Sequence, residues 1–301
     1  MTAAIEGMEP ARLHEALERH GYARCAAPGL VAAAERDPWE VARQLLGEVQ
    51  LVEAHPIHPV PHGRSFASTS GFTPLHTDSQ SRRGVSPRWQ VMLCARAAAT
   101  GGETLLVDTW PLLERIEAED PGLYQALLGR TRRMRFVFGD VVGPTVSLRG
   151  GGVVFTHSPV ASGDDVERGL AAWIERAPLI VLRVETDEVL VVDNHRMLHG
   201  RRAFEDRERR FLRLLVWTGV PAVAPQRLHD AAAAVHEQLA RSLEGQPSVV
   251  REAWLGAAAI ADPESERRLR IVQEMLRGVS PGVLARRQFW SSSADVIVEK
   301  P

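Results

Sequence analysis

Apolar and polar positions along the chain change period several times, and each change marks an element. Between residues 9 and 20, Leu13, Ala16 and Leu17 recur at helical spacing, and Gly21 ends the run. A second helix is predicted after Asp37, with Pro38 at its first position and Val41, Leu45 and Leu46 on one face. Residues 56–74 are rich in Pro, His and Ser and predict loop, with at most a short extended piece before His76. Strand-like runs then follow in series at 89–96, 104–108, 134–138, 153–156, 179–184, 189–193 and 211–218. Helical spacing interrupts them at 111–128 and 164–177. Many short β runs with helices to one side predict a mainly β fold with flanking helices. A sandwich or jelly roll fits that order better than an alternating βα sheet.

The last 80 or so residues change character. Segments 228–243 and 262–277 are rich in Ala, Arg and Leu at helical spacing, and the second has Asp262 as cap, Pro263 at its first position and Gly278 at its end. The expected division is a catalytic-type β domain over 1–222 with N-terminal helices, and a C-terminal helical extension over 223–301. That extension could pack on the core, cover a site or carry a homo-oligomer contact.

Composition narrows the function classes. Against 36 basic residues stand 38 acidic ones in 301, so no net field favours nucleic acid or an anionic membrane. No apolar stretch approaches a membrane span, and the N-terminus lacks a basic and then apolar leader. Two cysteines, Cys25 and Cys94, cannot form a disulfide framework, and a reduced, cytoplasmic setting is expected.

The candidate chemistry lies in two separated segments. Leu75-His76-Thr77-Asp78 places a His and an Asp two residues apart, on one face of an extended strand. Asn194-His195-Arg196-Met197-Leu198-His199-Gly200-Arg201 supplies a second His from far downstream. Two imidazoles and one carboxylate leave three adjacent octahedral positions open, the arrangement of non-haem Fe(II) oxygenases. Arg210 and Arg213 follow on an apolar run and could anchor an acidic co-substrate. His195 stands four residues before His199, but a strand-like run precedes both and no HExxH is present, so a helical zinc pair is not favoured. His55, His58 and His62 are read as a polar loop near the site. No Gly-x-Ser-x-Gly elbow occurs, and neither cysteine has an adjacent His, so nucleophilic catalysis has no support.

Taken in order, Phe72-Thr73-Pro74-Leu75-His76-Thr77-Asp78, Gly101-Gly102-Glu103-Thr104, Asp193-Asn194-His195 through Ala203-Phe204, and Arg210-Phe211-Leu212-Arg213 resemble the TauD/TfdA dioxygenase family. Within it the motifs are most similar to the clavaminate-synthase-like and γ-butyrobetaine-hydroxylase-like branches. The resemblance spans about residues 20–220 and implies a double-stranded β-helix core, Fe(II), and 2-oxoglutarate consumed with O2 to give succinate and CO2. It implies His76, Asp78 and His199 as metal ligands, Thr104 as a hydroxyl contact to 2-oxoglutarate and Arg210 as its distal anchor. Arg213 is the alternative anchor, reaching the same face only through a bulge. Asp78 argues against halogenation, because related halogenases replace that carboxylate with a small residue. Substrate contacts are expected from Ser68, Thr69 and Phe72 before the metal strand and from Arg82 and Arg83 after it. The expected reaction is hydroxylation of an sp³ carbon in an amino-acid-derived, peptide or other small specialised metabolite. The alternatives are catabolism of a small anionic sulfonate or carboxylate, a zinc-dependent hydrolase or isomerase using the same ligands, and a non-catalytic metal-binding or structural protein.

Overall fold

Asp-Pro steps start two of the helices, and the capping is the same in both. The Asp37 carboxylate accepts from Glu40 N at 3.0 Å and the Asp120 carboxylate from Leu123 N at 3.0 Å, with Pro38 and Pro121 opening the first turn. The second step splits the single helix expected over 111–128 into two, because Pro121 cannot supply the N–H that a continuous helix needs. The structure, a computed structural model, describes residues 4–5, 10–61, 65–78, 85–136, 139–159, 163–242 and 244–245. Arg82, Arg83, His62 and the helix expected at 262–277 lie outside the described residues.

In chain order the elements are β1 (Ala4–Ile5), α1 (Pro10–His20), β2 (Tyr22–Ala26), α2 (Leu30–Arg36), α3 (Pro38–Leu46), β3 (Leu51–Ile57) and β4 (Thr73–His76). There follow β5 (Trp89–Arg96), β6 (Thr104–Asp108), α4 (Thr109–Glu119), α5 (Pro121–Gly129), β7 (Arg132–Phe136), β8 (Gly139–Gly143), β9 (Val146–Arg149) and β10 (Gly152–Phe155). The chain continues through α6 (Asp165–Glu175), β11 (Ile180–Leu182), β12 (Glu188–Asp193), β13 (Met197–Arg201), β14 (Arg210–Trp217) and α7 (Gln226–Ser242).

Two sheets form the body, ordered β1-β2-β12-β5-β14-β3 and β11-β6-β13-β4, and every pairing except β1–β2 is antiparallel. Leu106, Met197, Leu190, Val192, Cys94 and Phe211 fill the space between them. The outer face of the larger sheet, with Val91, Leu93, Val189 and Leu214, is covered by α1, α2 and α3. The outer face of the smaller sheet, with Val107 and Leu198, is covered by α4 to α7 and the β9–β10 hairpin. Alternation in β5 and β12 therefore serves two cores at once, which is why these strands read as unbroken apolar runs. Each large side chain fully buried here contributes about 1.5–3 kcal/mol. This is the jelly-roll architecture expected from the strand series. The first helix of the C-terminal extension, α7, is continuous with it, since Leu228 and Ala232 are buried against the smaller sheet's helices. Among the described residues no helix is long and apolar enough to cross a membrane.

Candidate metal centre

The site forms on the inner faces of both sheets. His199 on β13 stands directly opposite His76 on β4 and opposite Leu106 on β6, so both imidazoles point between the sheets with ring centroids 4.4 Å apart. The register of β13 on β4 shifts between His199 and Arg201, and the two backbones close up there. A Cβ on Gly200 would lie 2.6 Å from the Thr73 carbonyl oxygen, so only glycine fits between the two histidine strands. Asp78 lies just past the end of β4, where Asn194 holds it: the Asp78 N–H donates to Asn194 Oδ1 at 2.7 Å and Asn194 Nδ2 donates back to the Asp78 carbonyl at 3.2 Å.

The three side chains converge. One donor atom from each of His76, Asp78 and His199 lies within 4.8 Å of the others, and among the described residues this is the one such grouping of three metal-ligating side chains. His76 Nδ1 donates to the Pro74 carbonyl at 2.8 Å, which puts the proton on Nδ1 and leaves the Nε2 lone pair facing Asp78 Oδ1 at 3.4 Å. Burial and the neighbouring His76 push the His199 pKa down despite Asp78, which favours its neutral ring. Burial alone would raise the Asp78 carboxyl. The charge of Arg213 and the close contacts with His199 and His76 outweigh it and hold the group well below the usual carboxylate range. Two imidazoles and an ionised carboxylate suit a divalent metal of intermediate softness such as Fe(II).

The arginines are where the expectation needs correcting. The register of β14 on β5 shifts at its start, where Arg210 pairs with Arg96 and Phe211 with Cys94, leaving Ala95 of β5 as the extra residue. Arg210 is left exposed at the rim of the sheet and does not face the histidines. Arg213 turns inward, its Nη1 2.7 Å from Asp78 Oδ2. No extra residue on β14 is needed for this: plain alternation sets Arg209, Phe211 and Arg213 on the inner face and Arg210, with Leu212 and Leu214, on the other.

Arg209, which sequence reasoning passed over, also turns inward. It is 3% exposed, packs its guanidinium over Phe204 and Phe211 at 4.9 and 4.0 Å, and its Nη1 has no hydrogen-bond partner. Burial and the nearby Arg201 push its pKa down to about 10. The turn at Gly101-Gly102, both with positive φ, makes room for it: a Cβ on Gly102 would lie 3.2 Å from Arg209 Nε. Thr104, two residues on, shares the inner face with His199 and stands opposite Arg201. Thr104, Arg201 and Arg209 thus gather beyond the histidines at one end of the space between the sheets. A buried guanidinium with an open donor is costly unless an anion completes it.

The substrate-side expectations divide. Arg201 donates to the carbonyls of Phe66, Thr69 and Gly71 at 3.3, 2.6 and 3.0 Å, strapping this segment to β13. Phe66, unnoticed in the sequence, packs tilted against His76 with centroids 4.8 Å apart. The Ser68 hydroxyl is used inside its own turn, 2.6 Å from Ser65 Oγ, and Phe72 is 60% exposed. Thr69 meets Arg201 through its carbonyl. His195 is buried with Nε2 donating to the Ser86 carbonyl at 2.9 Å, a structural role away from the cluster. His55 lies on β3 beside Glu53, at 3.3 Å, rather than in a loop.

With this geometry in place, the comparisons with known proteins fall into line. Residues 29–168 match the model of the taurine catabolism dioxygenase TauD, TfdA family. The TauD/TfdA resemblance read from the motifs holds. The TauD/TfdA match ends ahead of β13, so His199, Arg209 and Arg213 join the site through the fold rather than through that match. Among solved structures, PvcB from Pseudomonas aeruginosa is similar at 19% identity, covering 71% of this chain and 84% of its own, with TM-score 0.52. An asparagine oxygenase in complex with Fe(II), 3-hydroxyasparagine and succinate is similar at 16% identity, covering 70% and 79%, with TM-score 0.53. The non-haem iron oxygenase OrfP in complex with Fe and α-ketoglutaric acid is similar at 16% identity, covering 70% and 80%, with TM-score 0.51. At these identities the likeness is one of fold.

Proposed function

We propose that this protein is an Fe(II)- and 2-oxoglutarate-dependent oxygenase that hydroxylates an sp³ carbon of an amino acid or an amino-acid-derived small molecule. The observation that carries the reading is the pairing of a buried His76/Asp78/His199 cluster with an unpaired, buried Arg209 on the same inner surface. A metal cluster alone fits many chemistries. A metal cluster with an anion receptor at a fixed remove fits a co-substrate that chelates at one end and carries a carboxylate at the other.

His76 Nε2, His199 Nε2 and an Asp78 oxygen hold the metal. Arg209 receives the distal carboxylate, assisted by the Thr104 hydroxyl. This assignment replaces Arg210, whose side chain is outside. Arg213 keeps Asp78 ionised and presents a positive group beside the metal. When bound, Fe(II) with 2-oxoglutarate and O2 supplies the oxidising chemistry, releasing succinate and CO2. The protein contributes the apolar wall of Phe66 against His76 and the Arg201 strap that fixes the segment carrying it. The asparagine oxygenase and OrfP, the latter also known bound to a hydroxyarginine, support a small amino-acid substrate.

The test is substrate-dependent succinate release by the Fe(II)-loaded protein across a panel of free amino acids, short peptides and small sulfonates. Release coupled to a hydroxylated amino acid or peptide supports the reading. Coupled turnover of a sulfonate alone would move the protein to a catabolic role, and zinc-supported hydrolysis with no oxygen uptake would overturn the oxygenase reading.

A further inference from the structure

The two oxygens of Asp78 are treated differently. Oδ2 accepts one hydrogen bond from Gln90 Nε2 and one from Arg213 Nη1, each at 2.7 Å. Oδ1 receives neither and faces His76 Nε2 at 3.4 Å. The backbone of the same residue is bracketed by Asn194, whose Nδ2 also donates to the Pro87 carbonyl at 2.9 Å. Asn194 is fully buried, so the bracket cannot swing without losing several hydrogen bonds at once. With its main chain fixed and one oxygen tied, the carboxylate has a single oxygen left to offer.

Gln90 and Arg213 differ as holders of that oxygen. Arg213 is charged and would be drawn to any anion arriving beside the metal. Gln90 is neutral, buried, and projects from β5, which is hydrogen-bonded to β12 on one side and β14 on the other. Its Nε2 also lies 3.2 Å from His199 Nε2, a contact a metal on that histidine would release, while the second N–H of the amide can stay on Asp78 Oδ2 at 2.7 Å. Gln90 is also the one polar residue between Trp89 and Ala95 in an otherwise apolar run, a position where a hydrophobic side chain would pack at lower cost.

We propose that Gln90 is a positioning residue that reserves Oδ1 of Asp78 for the metal, keeps this carboxylate monodentate, and thereby leaves open a coordination position that a chelating carboxylate would close. The inference rests on the metal-centre reading given above. It follows from hydrogen-bond capacity: an oxygen accepting from both an amide and a guanidinium is the poorer donor to a cation, and its twin is the better one.

The test uses the full chain with Gln90→Met, which keeps length and bulk and removes both N–H donors. Three quantities are read: Fe(II) affinity by chelator competition, the visible spectrum of the Co(II)-loaded protein, and the Tm of the metal-free protein. The expected result is about tenfold weaker Fe(II) binding, as loss of an outer hydrogen bond to a ligand typically gives, with an altered Co(II) spectrum and an unreduced metal-free Tm. Gln90→Asn, which keeps the amide but draws it back by one methylene, should shift the Co(II) spectrum in the same direction. A Gln90→Met protein with wild-type Co(II) spectrum and Fe(II) affinity within about twofold would overturn this inference while leaving the metal centre intact. A wild-type chain that binds neither metal would overturn both.

Discussion

Two strands approach the site from opposite sheets, and they differ in how plainly they announce what they carry. β13 runs in regular register against β6, and His199 lands inward where the spacing of its motif puts it. β14 alternates as plainly, with Arg209, Phe211 and Arg213 inward and Arg210 outward, but it offers two adjacent arginines and counting alone does not say which of the pair is inside. A lone histidine in a spaced motif names itself. One of two neighbouring arginines is chosen by which face of the strand meets the other sheet, and that is a matter of tertiary structure. Metal ligands in a spaced motif are thus the most legible part of such a site, and an anion anchor beside a second arginine the least.

The comparison can be broken most decisively at the legible end. Asp78→Ala removes the carboxylate and should abolish metal-dependent 2-oxoglutarate turnover; retention of wild-type turnover would remove Asp78 from the ligand set. On β14, Arg209→Ala should raise the KM for 2-oxoglutarate by about 100-fold or more, the usual scale for truncating one partner of a buried charge pair. Arg210→Ala, on the exposed side, should change it by less than about twofold. Equal effects from the two would mean that the face of β14 does not set the anchor.

A smaller effect sharpens the contrast from the side of β4. His157, whose backbone carbonyl accepts from Thr77 N and Oγ1, is buried, and burial with the charges of Arg132 and His76 pushes its pKa down from 6.5 to about 4. The folded state therefore binds this proton less readily than the unfolded chain. Stability should be full above pH 6.5 and fall as pH drops toward 4. Wild-type metal-free protein should lose roughly 2–3 kcal/mol more than His157→Gln between pH 7 and about pH 4.5 in denaturant titrations. Parallel losses in the two proteins would show that His157 is hydrated. Smallest is Asn194→Ala, which should cost about 1–3 kcal/mol in the metal-free protein through the unmet Asp78 N–H, and should weaken Fe(II) binding as well.

Elsewhere in the chain the same division holds. The runs at 89–96 and 104–108 were legible as β5 and β6 to the residue, because buried strands of β-branched and aliphatic residues have no competing pattern. β3 was hidden by His55 and Pro56. It is an edge strand, where a proline's missing N–H costs no ladder bond, so tertiary position permits what local chemistry discourages. The helix break at Asp120-Pro121 was legible in principle, since Asp37-Pro38 gives the same signal. Of the site, His76, Asp78 and His199 could be read from spacing, and Gln90 could have been flagged as a polar residue in an apolar run. Arg209 could not be told from Arg210 without knowing which face of β14 turns toward the other sheet. Phe66 and Arg201 meet the site through a loop whose path only the fold defines.

The most direct measurement is an anaerobic titration of the Fe(II)-loaded protein with 2-oxoglutarate, followed by visible absorbance. The account predicts a weak, saturable charge-transfer band in the wild type, displaced to much higher 2-oxoglutarate concentration in Arg209→Ala and unchanged in Arg210→Ala. Bound iron with no band at any concentration of the keto acid would contradict it.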